Sequence, residues 1–133
     1  GEKMRKKILV IDDDEKHLIA AQEILEEEGY EVITHHYAFG ATNCVRVQQP
    51  DLILLDINMP GLSGERLSEV LLAPEKSNDI PIVFYSSNDE DSLRKAVSKY
   101  GVKGYICKGS IRDLRKKVAS FLYPGLSEKL TSA

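Results

Sequence analysis

Four stretches of the chain are apolar without interruption: ILVI (8–11), LILL (52–55), IVFY (82–85) and the shorter GYIC (104–107). A strand with one face in water alternates, whereas a strand covered on both faces does not. These four runs therefore predict parallel strands inside a sheet. A fifth segment, EVITH (31–35), alternates apolar with polar and suits an edge strand. Between the strands the period becomes helical. Leu18, Ala21 and Leu25 form a stripe, with Ile24 beside it, and Gly29 ends that helix. A second helix is predicted over 38–47, stopped before Pro50, and a third over 63–72, with Pro74 just beyond. Leu93, Ala96, Val97 and Tyr100 recur at helical spacing ahead of Gly101. The last helix opens on Ser110 and Asp113, a capping box with Asp in place of Glu or Gln. Its apolar face is Ile111, Leu114, Val118, Phe121 and Leu122, and Pro124-Gly125 ends it.

Strand and helix alternate five times with short connections. That pattern predicts an α/β fold, a doubly wound parallel sheet with right-handed crossovers. Ligands of such sheets bind outside the carboxyl ends of the strands, where the winding reverses. At 133 residues, without repeats or low-complexity blocks, the chain is one domain. It is expected over 7–123. Residues 1–6 read as a tag remnant or N-terminal extension, and 124–133 as a flexible polar tail or the start of a linker.

Composition narrows the classes. No apolar run approaches a membrane span and no secretory signal precedes the first strand, so a cytoplasmic location is expected. Cys44 and Cys107 read as two buried thiols, with no disulfide indicated. A net charge of −3 argues against nucleic-acid binding by this domain. The charge is uneven, however. Arg94 to Lys117 holds nine basic residues and only Asp113 as an acid, whereas Glu23 to Glu31 is almost purely acidic. A solvated helix face explains either block, and the asymmetry also fits two sides that meet different partners.

The chemistry lies at the strand ends. Asp12 and Asp13 follow the first strand, Asp56 the third, Ser86 and Ser87 the fourth, and Lys108 the fifth. Two like charges about 4 Å apart repel by about 4 kcal/mol at the effective dielectric near a protein surface. Clustered carboxylates therefore need a cation. Mg²⁺ suits an all-oxygen set and keeps waters that a phosphate can replace. A hydroxyl and a lysine opposite can hold phosphate oxygens, and a carboxylate between metal and lysine can attack phosphorus to form an aspartyl phosphate. Each signal alone has a plainer explanation. The run Asp12-Asp13-Asp14 suits a helix cap, Asp56 a turn, Lys108 a solvated surface and Ser86 a strand terminus. Their joint placement at successive strand ends carries the argument.

ILVIDDD, PDLILLDINMPGLSG, PIVFYSS and GYICKG together resemble the receiver domain of two-component response regulators, over residues 7–122. The resemblance implies the flavodoxin-like strand order 2-1-3-4-5 with five helices. It implies Asp56 as phosphoacceptor, Asp13 as direct Mg²⁺ ligand, Asp12 as a ligand through water, and the Asn58 backbone carbonyl as a third protein ligand. Lys108 becomes the phosphate-neutralising lysine, Ser86 the switch hydroxyl and Tyr105 the switch aromatic. It further implies a sensor histidine kinase or histidine phosphotransfer protein as donor. The output partner, effector domain or second copy would dock on the basic face of the fourth helix, fifth strand and fifth helix. Arg94, Lys95, Lys99, Lys103, Arg112, Arg115 and Lys116 are candidates to flank that face. Asn58, Ser87 and Asn88 are expected to modulate phosphoryl lifetime, and the two amides, which cannot act as general bases, predict slow loss. The family usually has proline after the lysine, and this chain has Gly109. A cis bond before a non-proline residue costs roughly 2.5–4 kcal/mol, so a trans bond is expected there.

Two rival classes remain. A pseudo-receiver keeps the fold as a binding module but usually lacks an acid or the lysine, all of which are present here. A phosphohydrolase wants a proton-transferring carboxylate close to its nucleophile, and the residue two beyond Asp56 is Asn58. Walker, dinucleotide and EF-hand patterns are absent, and His35-His36 without nearby acids is poor evidence for zinc.

Overall fold

The computed structural model describes residues 5–73 and 79–125. Its strands are β1 (Lys7–Ile11), β2 (Glu31–His35), β3 (Leu52–Leu55), β4 (Ile82–Ser86) and β5 (Gly104–Cys107). Its helices are α1 (Glu15–Glu27), α2 (Ala41–Gln48), α3 (Gly64–Leu71), α4 (Glu90–Tyr100) and α5 (Ile111–Leu122). The strands form one parallel sheet in the order β2-β1-β3-β4-β5.

Side-chain alternation along each strand divides the core into two layers. Leu9, Ile11, Ile53, Leu55, Ile82 and Phe84 face α2, α3 and α4. Ile8, Val10, Leu52, Leu54, Val83 and Ile106 face α1 and α5. Both faces are covered, which is why the central strands read as unbroken apolar runs. Edge strand β2 buries only Val32, in keeping with its alternation. The other edge strand, β5, buries only Ile106, so GYIC is not the fully covered inner strand its apolar run predicts, because only β4 pairs with it.

The helix ends follow local chemistry. Asp14, Ser63, Asp89 and Ser110 cap α1, α3, α4 and α5, each accepting a backbone N–H from the first turn. The second helix starts later than expected, at Ala41 rather than residue 38. Gly40 stands at φ 81°, a left-handed conformation that separates the preceding loop from the helix. His35 Nε2 lies 2.8 Å from the Phe39 carbonyl and holds that loop. Pro74 and the tail after Gly125 lie outside the described residues. Among the described residues every peptide bond is trans, including that before Gly109. Cys44 and Cys107 are free thiols, half-buried rather than buried as expected, because each sits at the margin of the layer formed by α2, α3 and α4.

Candidate functional site

The register of the sheet builds the site. Ile11 pairs with Leu55, so the next residues, Asp12 and Asp56, leave adjacent strands side by side, tied by the Asp56 N–H to the Ile11 carbonyl at 2.9 Å. Ser86 pairs with Cys107, and the Lys108 N–H donates to the Ser86 carbonyl at 2.9 Å. All four side chains therefore leave the same edge of the sheet, at the point where strand order reverses between β1 and β3.

The acids are taken out of water. Asp12 is 1% exposed and Asp56 4% exposed. Carboxylate oxygens of Asp12, Asp13 and Asp56 lie within 4.8 Å of one another. The Lys108 ammonium reaches in from β5, 2.6 Å from Asp12 Oδ2 and 3.4 Å from Asp56 Oδ1. Burial pushes the Asp56 carboxyl above its ordinary range. Lys108 opposes that shift and the Asp12 charge adds to it, while the Asn58 N–H and Lys108 donate hydrogen bonds that lower it. A carboxylate that stays uncomfortable beside a lysine is one that a further cation would relieve.

The aspartate run divides into separate tasks. Asp12 and Asp13 belong to the cluster, whereas the exposed Asp14 caps α1 by accepting the Lys16 N–H at 2.9 Å. The Asp12 Oδ1 accepts the Asp14 N–H at 2.9 Å, which turns the chain from strand to helix and leaves Oδ2 for Lys108.

The remaining expected residues are placed as follows. Ser86 is fully buried, and its hydroxyl accepts the Asn88 N–H at 3.2 Å. Ser87 is exposed and lines a hollow of about 480 Å³ with His17, Tyr85 and Lys108. Asn58 Nδ2 donates to Asn88 Oδ1 at 2.8 Å, so the two amides bind each other across the mouth of the site. Tyr105 lies away from the acids. Its hydroxyl donates to Glu90 Oε1 at 2.7 Å, Arg94 pairs with Glu90 at 3.4 Å, and the Lys117 ammonium stands 4.9 Å from the ring centre. The bond to Glu90 raises the Tyr105 phenol and lowers the Glu90 carboxyl.

One member of the expected basic face is elsewhere. Arg115 turns to α1, bonding Glu27 at 3.1 Å and Glu28 at 3.0 Å. The acidic end of α1 packs beside α5, and the nearest long cation reaches it. Three site residues had not been singled out in the sequence. His17 Nδ1 lies 2.9 Å from the Lys108 ammonium. The Tyr85 ring centre is 5.5 Å from that ammonium. A Cβ on Gly64 would collide with the Asp56 carbonyl oxygen, so only glycine lets α3 start against the loop that follows Asp56. The second glycine of GLSG was the available signal for the last; nothing local marks the other two.

Comparison with known proteins bears on the family and the fold. The family model of the response regulator receiver domain matches residues 8–119. The sensor protein GacS of Pseudomonas syringae is 29% identical over 105 residues, 77% of this chain but only 12% of GacS. The polar-differentiation response regulator DivK of Brucella ovis is 30% identical over 109 residues, 79% of this chain and 85% of DivK. Among solved structures, the response regulator TrrA of Thermotoga maritima superposes with a TM-score of 0.77 at 30% identity, over 88% of this chain and 99% of that one. The chain belongs to the response regulator receiver domain family, whose role is to accept a phosphoryl group in signalling.

Proposed function

We propose that Asp56 is the residue that accepts the phosphoryl group and that Lys108 and Ser86 serve its transfer. The observation that carries this reading is the Lys108 ammonium held between two buried carboxylates, 2.6 Å from Asp12 and 3.4 Å from Asp56. A carboxylate oxygen of Asp56 attacks phosphorus in line. As the new O–P bond forms, the P–N bond of a phosphohistidine breaks and the electron pair returns to the imidazole. Lys108 leaves Asp56 for a phosphoryl oxygen, offsetting the charge there. The donor is a sensor histidine kinase or a histidine phosphotransfer protein of the cytoplasm. The domain catalyses its own phosphorylation and, slowly, its dephosphorylation.

The donor set fits Mg²⁺. It is all oxygen, and the buried, upshifted Asp56 lacks sufficient positive charge around it. Asp12, Asp13, Asp56 and the Asn58 backbone carbonyl would hold the ion, which supplies positive charge to the phosphoryl oxygens. TrrA was solved in complex with Mg²⁺–BeF, a precedent for such a site on this fold.

The switch runs through Ser86 and Tyr105. The Ser86 hydroxyl, which accepts the Asn88 N–H, can donate its own O–H to a phosphoryl oxygen in a charge-assisted bond. The β4–α4 loop moves with it, and Tyr105 leaves Glu90 for the space beside β4. The output face is then α4, β5 and α5, where Arg94, Tyr105, Lys117 and Phe121 line a shallow hollow. With Lys95, Lys99, Lys103, Arg112 and Lys116 around it, it suits an acidic partner surface, an effector domain or the acids of a second copy, without direct contact to nucleic acid. Acetyl phosphate labelling in the presence of Mg²⁺ tests the assignment. Asp56→Asn is expected to abolish labelling, and full labelling of that variant means another residue is the acceptor. Hydrogen exchange with and without beryllofluoride tests the switch, which fails if protection changes are confined to the surroundings of Asp56.

A further inference from the structure

Lys108 is the site's mobile charge, and little in its own segment aims it. Gly109, the next residue, stands at φ 105°, and a Cβ built on it meets nothing within 4 Å. Gly109 thus has no side chain to restrict its backbone or to pack against a neighbour. The aim must come from what the ammonium touches.

Its three N–H groups face three acceptors: Asp12 Oδ2 at 2.6 Å, His17 Nδ1 at 2.9 Å and Asp56 Oδ1 at 3.4 Å. The first and last are acids of the cluster, and both are claimed by other chemistry once the site is loaded. His17 is different. It stands in the first turn of α1, outside the acid cluster, and α1 is anchored to the sheet by Leu18, Ala21 and Leu25. Its other ring nitrogen, Nε2, faces Asp14 Oδ2 at 3.6 Å. Asp12 Oδ2 lies equally far from Nδ1, at 3.6 Å, so the two carboxylates do not choose between the ring nitrogens. The ammonium does, because it can only donate and at 2.9 Å needs the lone pair of Nδ1, which leaves the proton on Nε2. Tyr85 lies against the same ammonium, its ring centre 5.5 Å away, and lines with His17 the hollow through which the lysine passes.

We infer that His17 is a positioning residue for phosphoryl transfer, holding the Lys108 ammonium over Asp56 through a hydrogen bond accepted at Nδ1. This rests on the assignment of Asp56 and Lys108 above. It predicts a requirement for an acceptor atom at that place, not for a ring or for bulk. The Oδ1 of asparagine falls close to where Nδ1 of histidine lies, whereas leucine has similar size and no acceptor.

The test uses acetyl phosphate with Mg²⁺, a small donor that makes no protein–protein contacts, so effects on donor docking do not enter. His17→Leu should lower the labelling rate about tenfold, the order expected for losing a hydrogen bond to a charged group, and His17→Asn should stay within about twofold of wild type. Long-range ¹H–¹⁵N spectra in mildly basic solution supply a readout independent of activity. Wild-type His17 should carry its proton on Nε2, and its Nδ1 resonance should move when Lys108→Met removes the donor. Wild-type labelling by His17→Leu, equal losses in the Leu and Asn variants, or a proton on Nδ1 would each overturn the inference while leaving Asp56 as acceptor. Absence of labelling in the wild type would overturn the assignment on which it rests.

Discussion

Replacing Lys108 by Met keeps the length of the side chain and removes its charge, leaving Asp12 and Asp56 without their buried partner. Gross attraction at an effective dielectric of about 20 is roughly 6 kcal/mol for the 2.6 Å approach to Asp12 and roughly 5 kcal/mol for the 3.4 Å approach to Asp56. Desolvation of the ammonium offsets much of this, and removing one partner of a buried pair typically costs about 3–5 kcal/mol. Proton uptake sets an upper bound on the loss. Once the lysine is gone, one carboxylate of the cluster can be protonated instead. Keeping an ordinary aspartate protonated costs about 1.4 kcal/mol per pH unit above its pKa of about 3.9, hence about 5 kcal/mol at about pH 7.5 and about 1.5 kcal/mol at about pH 5. Lys108→Met should therefore be destabilised by about 3–5 kcal/mol in urea unfolding at the higher pH and by no more than about 1.5 kcal/mol at the lower. Mg²⁺ should raise the melting temperature of the variant more than that of wild type, since the ion meets one positive charge fewer. A loss that is the same at both pH values and untouched by Mg²⁺ would show that Lys108 contributes packing rather than charge, and the electrostatic account of the site would fail.

Three further outcomes are expected. Burial holds the Asp56 carboxyl above its ordinary value of 3.8, so its proton favours the fold. That contribution is present below the ordinary value and lost as pH rises through the folded one; Asp56→Asn should thus stabilise the domain in urea at neutral pH, and a gain that persists undiminished in acid would contradict the sign. Gly64→Ala drives a Cβ into the Asp56 carbonyl oxygen and to 2.8 Å from the Ile57 Cα, both backbone atoms that cannot rotate away. It should cost about 1–3 kcal/mol and slow acetyl phosphate labelling; wild-type stability and labelling together would rule out the close approach. Tyr105→Phe deletes the first cause of the lowered Glu90 carboxyl, so an NMR titration should find Glu90 closer to its ordinary 4.5, and an unmoved titration would mean the phenol is not bonded there.

What the sequence made legible was whatever is encoded locally. The unbroken runs at 8–11, 52–55 and 82–85 announced strands covered on both faces, and the residues after them were bound to share an edge once those strands were parallel. Asp12, Asp13, Asp56, Ser86 and Lys108 could be placed at one edge for that reason. The late start of α2 was harder to see, because Ala38 and Phe39 carry ordinary helical propensity and only the left-handed backbone at Gly40 excludes them. Contacts between distant loops left no periodic trace. Asn58 and Asn88 were expected to modulate the same reaction, but they stand 30 residues apart and it takes the loop geometry to bring one amide onto the other. Arg115 lay in a basic block that pointed outward as composition, yet it pairs with Glu27 and Glu28 because α1 and α5 share one face of the sheet.

The three consecutive aspartates show where such reading stops and why. Position at the strand end singled out Asp12 and Asp13 for the cluster, while a helix cap stayed the plainer reading of the whole run. The backbone separates them. Asp12 continues the direction of β1 and emerges beside Asp56, because Ile11 is in register with Leu55. One of its oxygens then takes the Asp14 N–H, and this bond bends the chain out of the sheet. Asp14, now at the head of α1, spends its carboxylate on the Lys16 N–H and is lost to the cluster. His17 follows within the same turn and is carried back toward the edge it has just left, to within 2.9 Å of a lysine 91 residues away. Cap and site are therefore successive consequences of one bend, in which the same buried carboxylate that faces Lys108 also starts the helix that brings His17 to it.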